Sequence, residues 1–293
     1  MVEAKPIVVI TGVSGFIGAH VCKKFLDDGG FRVIGTVRDK DNQEKIAPLI
    51  KAFGEDLELR SANLTDADSL EKAVEGATYL VHTASPVAFT WEKPEDLIKP
   101  AVDGTMAAVR AAHKHGVKRV VITSSIAAVS SFVDPMPNPI TEDTWSNEKF
   151  LKENDTKYAY HLSKTLSERA AWDYWTSMPE NERFELCTIC PGLVFGKALL
   201  GYGFASGGFM NMIMAGVKGL DDCLPLVEVE AVAEAHLQSI KVAEAANQRF
   251  LLSNRSYFWN EMERPLHAEF APKGWPVKDG LSEGENKGEM KNW

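Results

Sequence analysis

The chain has 293 residues, enough for one large α/β domain or two smaller ones, and its 45% apolar content allows a sizeable core. Its formal net charge of −9 argues against nucleic acid and anionic membranes as partners. Because no apolar run approaches the ~20 residues of a membrane span, and the initial MVEAKP is not an apolar signal region, we expect a cytoplasmic protein.

The first stretch with a clear pattern reads IVVITGVSGFIGAHV over residues 7 to 21. It predicts a buried parallel strand, a tight turn and the N-terminus of a helix, where backbone N–H groups can bind a dinucleotide pyrophosphate. Gly12 would permit the turn, Gly15 would let the phosphates approach, and Gly18 would let the helix pack closely on the strand. The cofactor-binding residues predicted here are Thr11, Gly12, Gly15, Phe16, Ile17 and Gly18.

Strand and helix patterns alternate along the rest of the chain. The predicted strands cover residues 7–10, 31–37, 57–61, 79–83, 117–122, 184–190 and 250–253. The predicted helices cover residues 42–53, 66–74, 97–115, 155–175 and 230–246, and residues 132–154 are irregular. Such alternation is typical of a doubly wound parallel sheet, the α/β Rossmann fold. We assign residues 1–190 to a dinucleotide-binding core and 191–293 mainly to a smaller C-terminal substrate-binding portion, with a polar tail from about residue 283.

The end of the second strand bears on the choice of cofactor. An NAD enzyme places an acid there to bond the ribose 2′-OH, but counting from the glycines puts Val37 at this position, with Arg38 next. The planar fork of Arg38 suits a 2′-phosphate, so the sequence favours NADP(H). Two observations leave alternatives open: Asp39 is an acid one position later, and Arg38 would also be ordinary as an exposed surface residue.

A second group of residues has the chemistry of proton transfer. Tyr160 and Lys164 lie four apart on the long predicted helix and therefore share a face, and Ser125 follows the fifth strand at the carboxyl edge of the sheet. A free phenol has a pKa of about 10 and needs a neighbouring ammonium to act near neutral pH. We predict that Ser125 holds the substrate carbonyl, Tyr160 is the acid, and Lys164 assists Tyr160 and holds the ribose. Tyr160 and Lys164 are therefore also predicted cofactor-binding residues. Tyr158 has no lysine four residues on, and Ser124 is the alternative serine if the strand ends elsewhere.

The cysteines and histidines show no metal pattern, and no metal is predicted. Cys187 and Cys190 have C-x-x-C spacing, but residues three apart on a strand point to opposite faces, so structural thiols are expected. His82 ends the fourth strand, where we expect a hydrogen-bonded core histidine rather than a group lining the cleft.

Together TGVSGFIG, the TSS at 123–125 and YHLSK at 160–164 resemble the extended short-chain dehydrogenase/reductases. Within that group the chain is most similar to the dihydroflavonol 4-reductase and cinnamoyl-CoA reductase branch, with the fungal methylglyoxal/aldehyde reductases. The motifs that carry this similarity are GTVRD at 35–39, HTASP at 82–86, SKTLSERAAW at 163–172 and PGLVFG at 191–196. The resemblance covers roughly residues 6 to 255.

This resemblance implies further cofactor contacts at Lys45, Asn63, Leu64, Thr83, Ala84, Ser85, Pro191, Gly192 and Val194. Three departures accompany it. Asn63 stands where the family usually has an aspartate near the adenine. The signature NWYCYGK is absent around Tyr160, which argues against a CoA thioester substrate, and the chain after about Ser253 is short and unlike the family's usual end.

The segment from 199 to 215 reads LLGYGFASGGFMNMIMA and contains no charged residue. Leaving the sixth strand, it should cover the nicotinamide as a mobile lid, with Tyr202, Phe204 and Phe209 against the substrate. An apolar wall of this kind suits a neutral aldehyde or ketone. The alternative is that these side chains pack inward as core.

The sequence thus predicts an NADPH-dependent carbonyl reductase that acts on a neutral apolar aldehyde or ketone, as a monomer or homodimer. One alternative is an NAD-dependent sugar-nucleotide epimerase or dehydratase on the same scaffold. Another is a non-catalytic NADP-sensing protein, which would have no need of the Ser–Tyr–Lys set.

Overall fold

The computed structural model describes residues 4–86, 91–131, 137–201, 203, 206–217 and 223–280. Its strands are β1 (Ile7–Thr11), β2 (Arg32–Val37), β3 (Leu57–Ser61), β4 (Tyr79–His82), β5 (Arg119–Thr123), β6 (Glu185–Pro191), β7 (Leu193–Phe195), β8 (Cys223–Glu228), β9 (Arg249–Leu252) and β10 (Arg255–Phe258). Its helices are α1 (Phe16–Asp28), α2 (Gln43–Phe53), α3 (Ala67–Val74), α4 (Glu95–Lys114), α5 (Glu148–Glu153), α6 (Asp155–Ser177), α7 (Gly207–Met214), α8 (Val229–Lys241) and α9 (Trp259–Phe270).

Seven parallel strands form the central sheet in the order β3-β2-β1-β4-β5-β6-β9. Alternate residues of β1 enter the two cores: Val8 and Ile10 face α1 and α8, whereas Val9 faces α4 and α6. Both faces of the sheet are therefore buried, as parallel sheets require. The strand order reverses between β1 and β4, so a crevice opens at their carboxyl ends. The predicted fold class is confirmed.

Most predicted elements are present, with ends displaced by one or two residues. The fifth strand was predicted at 117–122 but spans Arg119–Thr123, because Val117 still belongs to the turn that closes α4. The last helix of the large sheet was predicted to reach 246, yet α8 ends at Lys241 and a short 3-10 turn follows. Helix α5 lies in the stretch that was predicted to be irregular.

A second sheet of three strands, in the order β10-β8-β7, was not predicted. These strands have three to six residues each and no apolar–polar alternation, and Pro225 interrupts the pattern of β8. Together with α7 and α9 they enclose a small core around Ile213, Leu224 and Trp259. The C-terminal part also contributes to the large sheet, because β9 is its edge strand and α8 packs beside α1 on one of its faces. The division of the chain at residue 190 remains a prediction.

All four cysteines are buried and none forms a disulfide bond, and burial raises the pKa of the Cys22 thiol to about 12. Cys187 donates to the carbonyl oxygen of Ala245, whereas Cys190 faces Glu168 on the opposite side of β6. The side chains of Cys187 and Cys190 therefore point to opposite faces of the strand, as predicted. Over the described ranges, no helix is both long and apolar enough to cross a membrane, and no cluster of acidic, histidine and cysteine side chains could hold a metal ion.

Candidate active site

The turn between β1 and α1 has the form that a dinucleotide needs. Gly12 has a φ of 72°, and a Cβ there would lie 3.0 Å from Ala84. A Cβ on Gly18 would come within 2.3 Å of the Gly12 carbonyl oxygen, so helix and turn touch through glycine alone. At Gly15 the space is open apart from one contact of 3.3 Å. Helix α1 begins at Phe16 with no side-chain cap and no acid in its first turn, so no side chain there competes with an anion for the helix N-terminus.

Hydrogen bonds tie the end of β1 to the end of β4. The hydroxyl of Thr11 contacts Nδ1 of His82 at 2.9 Å and accepts the N–H of Ala84 at 3.1 Å. Thr83 donates its hydroxyl to the Thr11 carbonyl oxygen at 2.5 Å. Thr11 is completely buried. Its hydrogen bonds therefore support the glycine turn rather than contact a ligand directly.

His82 is a buried core histidine, as predicted from the sequence. Its Nε2 has no hydrogen-bond partner within the described residues. Burial, followed by the positive charge of Lys164, lowers the pKa of His82 to about 4. The ring is therefore neutral at physiological pH.

Two exposed cations follow β2: Arg38 comes directly after the strand, and Lys45 lies in the first turn of α2. Arg38 and Lys45 are both solvent-exposed, and the Arg38 guanidinium makes no hydrogen bond or ion pair within the described ranges. The acid that left the cofactor choice open is already engaged, because a carboxylate oxygen of Asp39 accepts the backbone N–H of Asp41 at 3.0 Å. The residues after this strand thus include an exposed cation, and the neighbouring acid uses one of its oxygens within its own turn.

The residues after β3 form a compact turn on the same side. Asn63 is exposed, its side-chain oxygen accepts the N–H of Thr65 at 3.3 Å, and its own N–H donates to Ser69 at 2.9 Å. Leu64 packs onto α4 at Gly104, where a Cβ would lie 3.0 Å from the Leu64 side chain. The side chain of Asn63 is therefore used within this turn.

The structure brings Tyr160 and Lys164 together with the end of β4. Lys164 is only 7% exposed, and its ammonium donates to the hydroxyl of Ser85 at 3.0 Å. The same nitrogen lies 6.0 Å from the centre of the Tyr160 ring, which is half-buried. Lys164 thus lies between Tyr160 and Ser85, and Ser85 follows β4 beside the glycine turn.

Ser125 begins the short 3-10 turn Ile126–Ala128, which packs against α6. Its oxygen accepts the N–H of Ala127 at 3.1 Å, so its own O–H can still be donated. The alternative serine is committed elsewhere, since Ser124 donates to the buried carboxylate of Glu168 at 2.6 Å. Of the two serines, Ser125 is therefore the one whose hydroxyl keeps a proton to donate.

Tyr158, set aside in the sequence, is also committed elsewhere. It is buried in a cluster with Leu151 and Leu162, and its ring lies 5.5 Å from that of Phe150. The backbone of α6 departs from helical geometry at this residue, two positions before Tyr160.

The loop that follows β6 carries the remaining candidates. Gly192 donates its N–H to Leu252 at 2.9 Å, directly after Pro191 at the end of β6. Val194 is buried in a cluster against which Phe16 and Ile17 pack, so β7 borders the start of α1. Phe209 packs into the core of the small sheet, with its ring 6.3 Å from that of Trp259, as the inward-packing alternative describes. Tyr202 and Phe204 lie outside the described residues.

Sequence reasoning missed three buried residues and one partly buried residue that hold this site. Thr36 accepts the N–H of Gly12 at 3.2 Å, and His236 contacts Thr123 at 2.7 Å. Glu168 and Arg249 form an ion pair at 2.7 Å behind Ser124. Of these four residues, only Glu168 could have been found from the sequence. It lies four residues after Lys164 on the same helix and therefore shares the buried face of that helix.

The protonation of His236 links the stability of the folded protein to the pH. Its Nδ1 lies 2.7 Å from the Val232 carbonyl oxygen, which can only accept, so Nδ1 carries the proton and Nε2 accepts from the Thr123 hydroxyl. Burial lowers the pKa of His236 to about 4, as it does for His82. Both rings are neutral in the folded protein.

We therefore expect the free energy of unfolding to fall as the pH is lowered from about 6.5 towards 4. In this window the unfolded chain takes up protons on these histidines while the folded chain does not, which favours unfolding. Each histidine contributes a loss of up to about 3 kcal/mol. Urea unfolding between these two pH values measures it, and His236→Gln is expected to flatten the dependence. A stability that stays constant over this window would contradict the assignment.

Comparison with known proteins places this geometry in a family. The family model described as the NAD dependent epimerase/dehydratase family matches residues 8–242. The anthocyanidin reductase of Arabidopsis thaliana is 33% identical over 285 residues, covering 91% of this chain and 80% of that protein. The cinnamoyl-CoA reductase CAD2 of Medicago truncatula is 32% identical, covering 93% of this chain and 83% of that protein. The crystal structure of the yeast methylglyoxal/isovaleraldehyde reductase Gre2 complexed with NADPH is 27% identical, covers 94% of this chain and 86% of its own, and superimposes with a TM-score of 0.82.

Proposed function

The chain belongs to the NAD dependent epimerase/dehydratase family, and we propose that within it the protein is an NADPH-dependent carbonyl reductase. The observation that carries this proposal is the meeting of Lys164, Ser85 and Tyr160 beside the glycine turn. The reductases among its relatives, including the yeast enzyme complexed with NADPH, support the same reaction class and cofactor.

The residues present fit NADPH. Gly12 has a positive φ, a Cβ on Gly18 would overlap the Gly12 carbonyl oxygen, and no side chain caps α1, as a turn that binds a pyrophosphate requires. Arg38 and Lys45 would hold the 2′-phosphate, and Lys164 would hold the nicotinamide ribose. When bound, NADPH supplies the hydride for the reduction.

The side chains of the protein supply orientation and a proton. The Ser125 hydroxyl donates a hydrogen bond to the substrate carbonyl oxygen and fixes its position. The Tyr160 hydroxyl donates its proton to the same oxygen as negative charge develops there. The Lys164 ammonium stabilises the phenolate that Tyr160 becomes, and its near-complete burial strengthens that interaction.

We further propose that the substrate is a neutral aldehyde or ketone with an apolar body. Between Lys197 and Lys218 the sequence carries no charged residue, so this segment offers no Arg or Lys to a phosphate or a CoA moiety. An apolar wall with few polar groups favours a neutral ligand.

The substrate proposal predicts a clear order of kcat/KM values. We expect an aromatic aldehyde and an aliphatic ketone each to exceed a cinnamoyl-CoA thioester by about tenfold or more, since a charge-assisted bond is worth roughly 1.5–3 kcal/mol. Initial rates of NADPH oxidation with the three compounds test this order. A thioester that reacts tenfold better than both others would show that polar contacts come from elsewhere in the chain.

The cofactor proposal predicts that Arg38→Ala weakens NADPH binding about ten- to hundredfold and leaves NADH binding nearly unchanged. The reason is that only NADPH carries the 2′-phosphate that this guanidinium would bond. Titration of the fluorescence of each reduced cofactor measures the two dissociation constants. The matched control is Lys40→Ala, which removes an exposed cation that is already paired with Asp41. Equal losses for both cofactors would contradict the role of Arg38.

A further inference from the structure

The buried carboxylate of Glu168 is hydrogen-bonded to Ser124, the residue before the proposed active-site Ser125. Glu168 is 1% exposed and sits one helical turn beyond Lys164 on α6. Its Oε2 accepts from the Ser124 hydroxyl at 2.6 Å, and its Oε1 accepts from the Thr188 hydroxyl at 2.8 Å. Arg249 donates from Nε to Oε1 at 2.7 Å and from Nη2 to Oε2 at 3.2 Å, and the Cys190 thiol contacts the same oxygens at 3.7 and 3.5 Å. A buried charge needs such partners, and both oxygens have them.

Arg249 is itself held on several sides. Its Nη1 donates to the backbone carbonyl oxygen of Glu142 at 2.8 Å and to that of Thr144. The guanidinium carbon lies 3.8 Å from the centre of the Trp145 ring, a stacked cation–π contact. Because the fork of Arg249 is fixed by backbone and ring, it fixes the carboxylate of Glu168 in turn.

The fixed carboxylate of Glu168 holds the backbone at the point where it enters Ser125. Ser124 is the residue immediately before it, and besides the side-chain bond to Glu168 it donates its N–H to the carbonyl oxygen of Ile189 at 2.7 Å. From the other face of the sheet, Thr123 is bonded to His236. The backbone leading into Ser125 is thus clamped between α6 and α8, while the Ser125 hydroxyl keeps its O–H for donation.

We propose that Glu168, held by Arg249, is a positioning residue that sets the orientation of Ser125 through Ser124. The inference rests on the proposed reductase function, in which Ser125 orients the carbonyl. A misplacement of about 1 Å at a reacting group can lower the rate up to about a hundredfold. The gain in rate from a fixed anchor next to Ser125 therefore accounts for a buried charge at Glu168.

Two variants that each remove one hydroxyl from Glu168 test the proposal. Ser124→Ala removes the link to Ser125, whereas Thr188→Val removes the equivalent bond on β6 and leaves Arg249 on both carboxylate oxygens. We expect Ser124→Ala to lower kcat about ten- to hundredfold with the dissociation constant of NADPH within about twofold. Thr188→Val is expected to keep kcat within about twofold at a comparable loss of thermal stability.

A double variant shows whether Ser124 acts through Ser125. If it does, Ser124→Ala has almost no further effect on kcat once Ser125→Ala is present. Effects that multiply, equal losses in Ser124→Ala and Thr188→Val, or a Ser124→Ala enzyme with wild-type kcat would each overturn the proposal.

A measurement without turnover separates this inference from the reductase assignment. Hydrogen exchange of the peptide spanning 124–128 is expected to be faster in Ser124→Ala than in Thr188→Val, because only the former loses its anchor. Equal exchange in the two variants overturns the positioning role. A wild-type protein that oxidises no NADPH with any carbonyl compound would instead count against the reductase function, and the exchange comparison would still decide the role of Glu168.

Discussion

Tyr160→Phe is expected to lower kcat by about 10²–10⁴-fold while NADPH affinity stays within about twofold of wild type. The substitution removes one oxygen, and with it the proton donor, from a half-buried ring beside the Lys164 ammonium. Because the glycine turn, Arg38 and Lys164 still hold the cofactor in this account, binding is retained. Steady-state kinetics at saturating NADPH, together with a fluorescence titration, separate the two quantities.

Tyr158 provides the matched control for this experiment. It is two residues away on the same helix, but its ring is buried against Phe150 and Leu162 rather than facing the crevice. We expect Tyr158→Phe to keep kcat within about threefold. A Tyr160→Phe enzyme with more than about a tenth of wild-type kcat would show that another group is the acid.

Lys164→Met is expected to damage binding and catalysis together. Methionine keeps the apolar stem that fills this nearly buried position, but it removes the ammonium that bonds Ser85 and lies beside Tyr160. We expect NADPH affinity to fall roughly ten- to hundredfold and kcat at saturating cofactor to fall about 10²-fold.

The control is Lys157→Met on the same helix, where the ammonium lies 5.2 Å from the Tyr158 ring instead. This variant is expected to match wild type within about twofold in both quantities. If Lys164→Met lost rate but bound NADPH normally, the lysine would assist Tyr160 without holding the ribose, and the double role assigned to it would be wrong.

The parts that could be predicted from sequence are those set by local patterns. The glycine turn follows from spacing, and the structure shows the reason at Gly12 and Gly18, where no Cβ fits. The pairing of Tyr160 with Lys164 follows from helical periodicity, which also placed both on one face of α6. These features need only residues that are near one another in the chain.

The parts that could not be predicted depend on contacts between distant segments. Arg249 lies 81 residues from Glu168 in the chain, and neither residue type alone indicates a buried pair. The small sheet joins β8 to β10 across strands too short for a pattern, and Pro225 obscures one of them. Phe209 shows a third limit, because an apolar residue near a cleft can equally pack into a core, as it does against Trp259.

The central claim is that hydride passes from NADPH to a carbonyl carbon at this site. It is tested most directly with NADPH carrying deuterium at C4 of the nicotinamide, on one face or the other, and a neutral aromatic aldehyde. Mass spectrometry of the alcohol is expected to show a single deuterium on the carbinol carbon from one of the two labelled cofactors, and none in the Tyr160→Phe control within the same time. An alcohol without deuterium from either cofactor, or no consumption of NADPH by the wild-type protein, would contradict the account.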